Sequence, residues 1–86
     1  MSTDTALRDV VRQYILKEFL PGVPASELTD DTPLISGGIL DSLATVRLVA
    51  MLEERYKVEI EAHEASITHF NTVADIASLV HSKGAK

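Results

Sequence analysis

The sequence predicts an all-α protein: a small four-helix bundle with three long helices, one short one, and a long structured loop between helices one and two. Three observations carry this reading. Apolar residues recur at three- and four-residue steps in two long stretches and again towards the C-terminus. The alternating stretch Val58-Glu59-Ile60-Glu61 has no pairing partner elsewhere, so it makes no sheet and reads as an extended linker. Finally, 86 residues supply one hydrophobic core, with little room for a deep catalytic cleft.

The first helix is expected over residues 5–20, where Leu7, Val10, Val11, Tyr14, Ile15 and Phe19 share one stripe. Ser2, Thr3 and Asp4 are capable N-caps, and Pro21-Gly22 with Pro24 forms a stop. Residues 21–41 lose the periodicity and read as a loop, with Leu28, Leu34, Ile35 and Ile39 available to pin it to the helices. Asp41 can cap a second helix over residues 42–57. Its stripe Leu48, Val49, Leu52 and Tyr56 is expected to face the core, and Leu43, Val46 and Ala50 lie beside it with Arg47 and Glu54. A short helix is expected near residues 63–68. A last helix over 72–81 opens on Thr72-Val73-Ala74-Asp75, a capping box with Asp in place of Glu, and residues 82–86 are expected to fray. Residues 1–86 are thus read as a single domain.

Eight Lys and Arg against thirteen Asp and Glu give a net charge of −5. That sign repels phosphate backbones and anionic lipid, and so argues against nucleic acid or a membrane surface as partner. With no cysteine there is neither a disulfide scaffold nor a thiolate metal site. The N-terminus lacks a basic segment followed by an apolar one, and the longest apolar run is Leu48 to Leu52. Neither a signal peptide nor a membrane span is expected, and the cytoplasm is the expected location.

Several chemistries fail on spacing. His63-Glu64 begins like a zinc-protease helix, but Ile67 stands where the second histidine belongs. His63, His69 and His81 are too scattered to form a metal set, and no metal is expected. Leu40 and Ala44 replace the two glycines of a nucleophile elbow around Ser42, which removes the hydrolase reading. Gly37-Gly38 is too short for a phosphate-binding loop and reads as a turn.

What remains is Ser36-Gly37-Gly38-Ile39-Leu40-Asp41-Ser42-Leu43, where a long loop runs into an Asp cap and a Ser at the first turn of a strong helix. On the residues alone two readings stay open. In one, Asp41 simply caps the helix and Ser42 is tolerated. In the other, Ser42 is an exposed hydroxyl at the positive end of a helix dipole, where a phosphate ester is favoured.

The run Gly37-Gly38-Ile39-Leu40-Asp41-Ser42-Leu43, with Asp31-Thr32-Pro33-Leu34 upstream and Phe70-Asn71-Thr72-Val73-Ala74-Asp75-Ile76-Ala77 downstream, resembles the acyl carrier protein family over nearly the whole chain. The resemblance implies an acyl-carrier-like bundle that is not itself an enzyme. It implies 4′-phosphopantetheine, taken from coenzyme A by a separate transferase and esterified to Ser42. The arm's terminal thiol then carries an acyl or aminoacyl group as a thioester. Asp41 would cap the helix and orient the serine. Leu43 and Val46, with Arg47 and Ala50 on the same surface, would meet partner enzymes: the transferase, an ATP-dependent acyl or aminoacyl ligase, and a downstream acyltransferase or biosynthetic enzyme. A monomer is implied. Fatty-acid-synthesis carriers have acidic residues where this chain has Ala44 and Arg47, and Gly38 to Val46 with Phe70 is more similar to free-standing D-alanyl, aminoacyl and peptidyl carriers. The alternative from another class is a noncovalent helical adaptor that uses the apolar face of helix two.

Overall fold

A computed structural model describes residues 3–84 and consists of α1 (Thr3–Phe19), α2 (Ser42–Tyr56), α3 (Ile67–Phe70) and α4 (Val73–Ser82). No strand occurs among the described residues. The molecule measures 32 × 30 × 20 Å, and its thinnest dimension equals about two helix diameters. The most extensive helix–helix packing is between α1 and α4.

The core follows from the apolar stripes. Leu7, Val11, Ile15 and Leu16 of α1 meet Leu48 and Leu52 of α2, Phe70 of α3, and Val73, Ile76, Ala77, Leu79 and Val80 of α4, all buried. Val10, Tyr14 and Phe19, expected on the α1 stripe, are only half-buried, as are Val49 and Tyr56 on α2. The first turn of α2 instead buries Ala44 and Thr45, 6% and 9% exposed. The buried Thr45 hydroxyl is satisfied, since it donates to the Asp41 carbonyl at 2.8 Å.

The loop between α1 and α2 is ordered by three buried leucines and one aspartate. Leu28, Leu34 and Leu40 enter the core, while Ile35 and Ile39 pack half-buried against it. A short 3₁₀ turn covers Ala25–Glu27. Asp30 receives the guanidinium groups of Arg8, at 3.1 Å, and Arg12, and its carbonyl accepts the Ala74 N–H at 3.1 Å. One residue thereby ties the loop to α1 with charge-assisted bonds and to α4 with a main-chain bond.

Element boundaries depart from expectation in four places. α1 runs Thr3–Phe19 and not 5–20: Thr3 and Asp4 are themselves helical, Leu20 is not, and Ser2, the remaining N-cap candidate, lies outside the described residues. Lys57 does not extend α2, because it takes the left-handed conformation at φ 56° and closes the helix after Tyr56. The short helix falls at Ile67–Phe70 and not at 63–68: the chain turns at 62–64, and Ser66 is extended at φ −137°, ψ 178°, which interrupts any helix there. Ser82 is helical, and Lys83 and Gly84 continue in a turn whose amides donate to Val80 and His81, so fraying does not begin at 82.

Lys83 also reaches Glu64 at 2.7 Å and anchors the segment before α3 to the end of α4. The Lys83 hydrogen bond, followed by the Glu61 N–H, holds the Glu64 carboxyl below the ordinary glutamate range. The preceding linker is pinned as well, with Ile60 7% exposed and its N–H donated to Glu53 Oε2 at 2.8 Å.

Candidate functional site

The loop is shaped for one purpose at its end, the entry into α2. Leu34 donates its N–H to the Asn71 carbonyl at 2.6 Å, and its own carbonyl accepts the amides of Ile39 at 2.8 Å and Leu40 at 2.9 Å. The turn this closes depends on both glycines, for different reasons. A Cβ at Gly37 would stand 2.3 Å from the Pro33 carbonyl oxygen, whereas Gly38 has open space but sits at φ +83°.

Asp41 follows in extended conformation, at φ −88°, ψ −174°, and accepts the Ala44 N–H on Oδ1 at 2.7 Å. Its carbonyl takes the Thr45 N–H at 2.9 Å as well as the Thr45 hydroxyl. Asp41 is therefore the N-cap of α2, its carboxylate at the positive end of the helix. Ser42 is the first helical residue and is exposed. A hydroxyl there is reachable by a second protein and is rigidly presented, and its environment favours an attached phosphate.

Beside Ser42 lies a groove of about 630 Å³ between α2 and the segment leading into α3. Its floor is apolar, from Leu40, Val49, Ile60 and Ala65, and Val46 and Ile67 form its opposing lips. Those lips are 63% and 53% exposed, and Leu43 is 65% exposed, which makes them three of the four large hydrophobic residues standing out into solvent among the described residues. Arg47 and Ala50 are exposed on the same helix. Ala44 is not, being buried beneath Ser42, so it cannot contribute to any surface charge strip and the comparison with acidic carriers rests on Arg47 alone. His63, His69 and His81 are all exposed.

Sequence reasoning missed two parts of this site. Ile67 lies between Ser66 and Thr68 with no apolar periodicity to mark it, and Asn71 gave no signal that its side chain serves the loop. The groove itself is a product of tertiary packing.

These features fit a small helical carrier, and comparison with known proteins shows its family. Residues 9–80 match the family model described as the phosphopantetheine attachment site, and the chain belongs to that family of carrier proteins. It is 41% identical over 66 residues to the lincomycin biosynthesis protein LmbN of Streptomyces lincolnensis, covering 77% of this chain but only 24% of that protein. With an acyl carrier protein of Akkermansia muciniphila it shares 31% over 78 residues, 91% of this chain and 92% of the relative. The D-alanyl carrier protein of Streptococcus suis is 28% identical over 80 residues, 88% of this chain and 98% of the relative. Among solved structures, a chain in one described as that of an FAD-dependent dehydrogenase superposes with a TM-score of 0.73 at 40% identity, covering 81% of this chain and 97% of that one.

The family bears covalently attached 4′-phosphopantetheine, and its members carry acyl or aminoacyl groups and work with modifying and biosynthetic enzymes. Carrier proteins are in general not catalysts. The residues present fit the group: an exposed hydroxyl at a helix N-terminus with a groove beside it. Among the described residues no helix is long and apolar enough to cross a membrane.

Proposed function

We propose that Ser42 carries the phosphopantetheine arm and that residues 1–86 act as a single, non-catalytic, monomeric and cytoplasmic carrier domain. The observation that supports this best is the exposed Ser42 hydroxyl at the first position of α2, behind an Asp41 cap that fixes its approach. In loading by the transferase, the Ser42 oxygen forms a bond to the phosphorus that carries the pantetheine portion of coenzyme A. The pyrophosphate P–O bond breaks, the adenosine bisphosphate departs, and the hydroxyl proton passes to a base of the transferase. The arm supplies a terminal thiol for a thioester, which a chain without cysteine does not otherwise possess. Asp41 holds the helix start in place during this step.

Leu43, Val46, Arg47 and Ala50 form the partner surface in this reading, with Ile67 added from across the groove. The partners are the transferase, an ATP-dependent acyl or aminoacyl ligase, and a downstream acyltransferase or biosynthetic enzyme. Because one matching chain belongs to a structure described as that of an FAD-dependent dehydrogenase, a flavin enzyme is the first downstream partner to try. The cargo we favour is an aminoacyl or specialised acyl group, since Arg47 places a cation where fatty-acid carriers are acidic.

Incubation with coenzyme A and a broad-specificity transferase tests the attachment site. The parent chain is expected to gain the mass of one arm and Ser42→Ala none, with the same fold. An adaptor working without modification gains nothing in either form, and an Ala variant that still gains the arm refutes the assignment. For Arg47, electrostatic complementarity acts mainly on encounter rate and on rejection of wrong partners. Arg47→Glu is therefore expected to slow loading by the cognate ligase and to speed productive contact with a basic fatty-acid-synthesis enzyme. Unchanged rates with both at low salt remove Arg47 from the partner surface.

A further inference from the structure

We infer that Asn71 is a positioning residue for loading at Ser42: it fixes the loop that delivers the serine and sets the width of the adjoining groove. This rests on the reading that Ser42 is the attachment point.

Asn71 follows α3 directly and precedes the cap of α4. From there it captures three consecutive amides of the distant loop. Its main-chain carbonyl accepts Leu34 N–H at 2.6 Å, and its side-chain Oδ1 accepts both Ile35 N–H at 3.0 Å and Ser36 N–H at 2.9 Å. Those residues open the turn that ends at Leu40, and Leu34 passes the constraint on, because its carbonyl holds the amides of Ile39 and Leu40. Only Asp41 then separates this clamped segment from Ser42. A single side-chain oxygen at the α3–α4 junction thus determines how the chain arrives at the α2 cap.

The same contact spans the groove. Ile35 and Leu40 line it from the loop side and Ile67 from α3, three residues before the fully buried Phe70. Asn71 is bonded to the first wall and covalently continuous with the second, so it holds the two at a fixed separation. A loop amide that loses its partner will turn to water, and the loop will move with it. A shift of the order of an ångström at a reacting group can cost about a hundred-fold in rate. Both side-chain bonds use Oδ1 as acceptor, so an aspartate, which presents only acceptors, can reproduce them, and alanine cannot.

The test is steady-state transfer from coenzyme A by a broad-specificity transferase, run well below every thermal midpoint, with amide hydrogen exchange measured on the same samples. Asn71→Ala is expected to load with kcat reduced about ten-fold while the KM for coenzyme A stays parental. Exchange at Ile35 and Ser36 accelerates. Asn71→Asp restores both readouts. Leu79→Ala, in the buried face of α4, is the control for plain destabilisation, and is expected to lower the midpoint yet load at the parental kcat. If Asn71→Ala has no folded window, Asn71→Gln, which displaces the oxygen by one methylene, is expected to show the same loss. Parental kcat in the Ala or Gln variant, an equal loss in Leu79→Ala, or failure of Asn71→Asp to restore loading each overturns the proposal. A parent chain that takes up no arm instead refutes the Ser42 reading, and this proposal falls with it.

Discussion

Leu52→Ala is expected to lower the thermal midpoint by roughly 10 °C or more, and Val46→Asp to leave it within a few degrees while sharply reducing loading. Leu52 is fully buried in the core, and truncating such a residue typically costs about 2–5 kcal/mol, at about 4–8 °C of midpoint per kcal/mol in a domain of this size. Val46 is 63% exposed, and surface changes usually stay within about 0.5 kcal/mol. Its effect is expected elsewhere, because a carboxylate there would sit on the lip of the groove beside Ser42 and be buried without a counter-charge by an apolar partner. Loading by the transferase and the ligase should therefore fall in Val46→Asp at temperatures where the protein is fully folded, and in Leu52→Ala only as far as it unfolds. The measurements are thermal unfolding by circular dichroism and transfer kinetics on the same samples. Equal destabilisation by the two substitutions would put Val46 in the core and displace the partner surface.

The second large effect is expected at Gly37. A methyl group there would lie 2.3 Å from the Pro33 carbonyl oxygen and 3.2 Å from its carbon, and backbone atoms cannot swing aside as a side-chain tip does. Gly37→Ala forces the turn to open, at a cost of about 1–3 kcal/mol for strain of this kind, and moves the segment that leads into Asp41. Both the midpoint and the loading rate are expected to fall. Gly38→Ala meets no neighbour but must hold φ +83°, at about 1–2 kcal/mol, with its turn preserved and loading less affected. A Gly37→Ala variant that melts and loads like the parent would show that the turn tolerates a shift and does not position the serine.

Much of this was legible because local chemistry decided it. The α2 start is written in Asp41, whose side chain does cap Ala44, and the α4 start in Thr72, whose hydroxyl accepts the Asp75 N–H at 3.0 Å. Leu28, Leu34, Ile35 and Ile39 signalled an ordered loop by being apolar in a stretch without periodicity. Misreadings occurred where tertiary contacts outvote the local pattern. The comparison with fatty-acid-synthesis carriers, which have an acidic residue there, puts Ala44 on the recognition strip, yet the helix turns it into the core. The short helix was misplaced because Glu61, Glu64 and Ser66 use side chains and turns to fold residues 61–66 without helix. Asp30 and Asn71, which lock the loop to α1 and to the α3–α4 junction, act across 18 to 36 residues of sequence, a separation no local rule reaches.

The attachment chemistry is best examined by fragmenting the loaded parent chain in a tandem mass spectrometer and locating the arm on the sequence. After exposure to coenzyme A and transferase, the added phosphopantetheine is expected on Ser42 in every modified molecule. An arm found on Ser36 in the loop or on Ser66 in the groove wall, or a chain that remains unmodified while a related carrier loads under the same conditions, would contradict it.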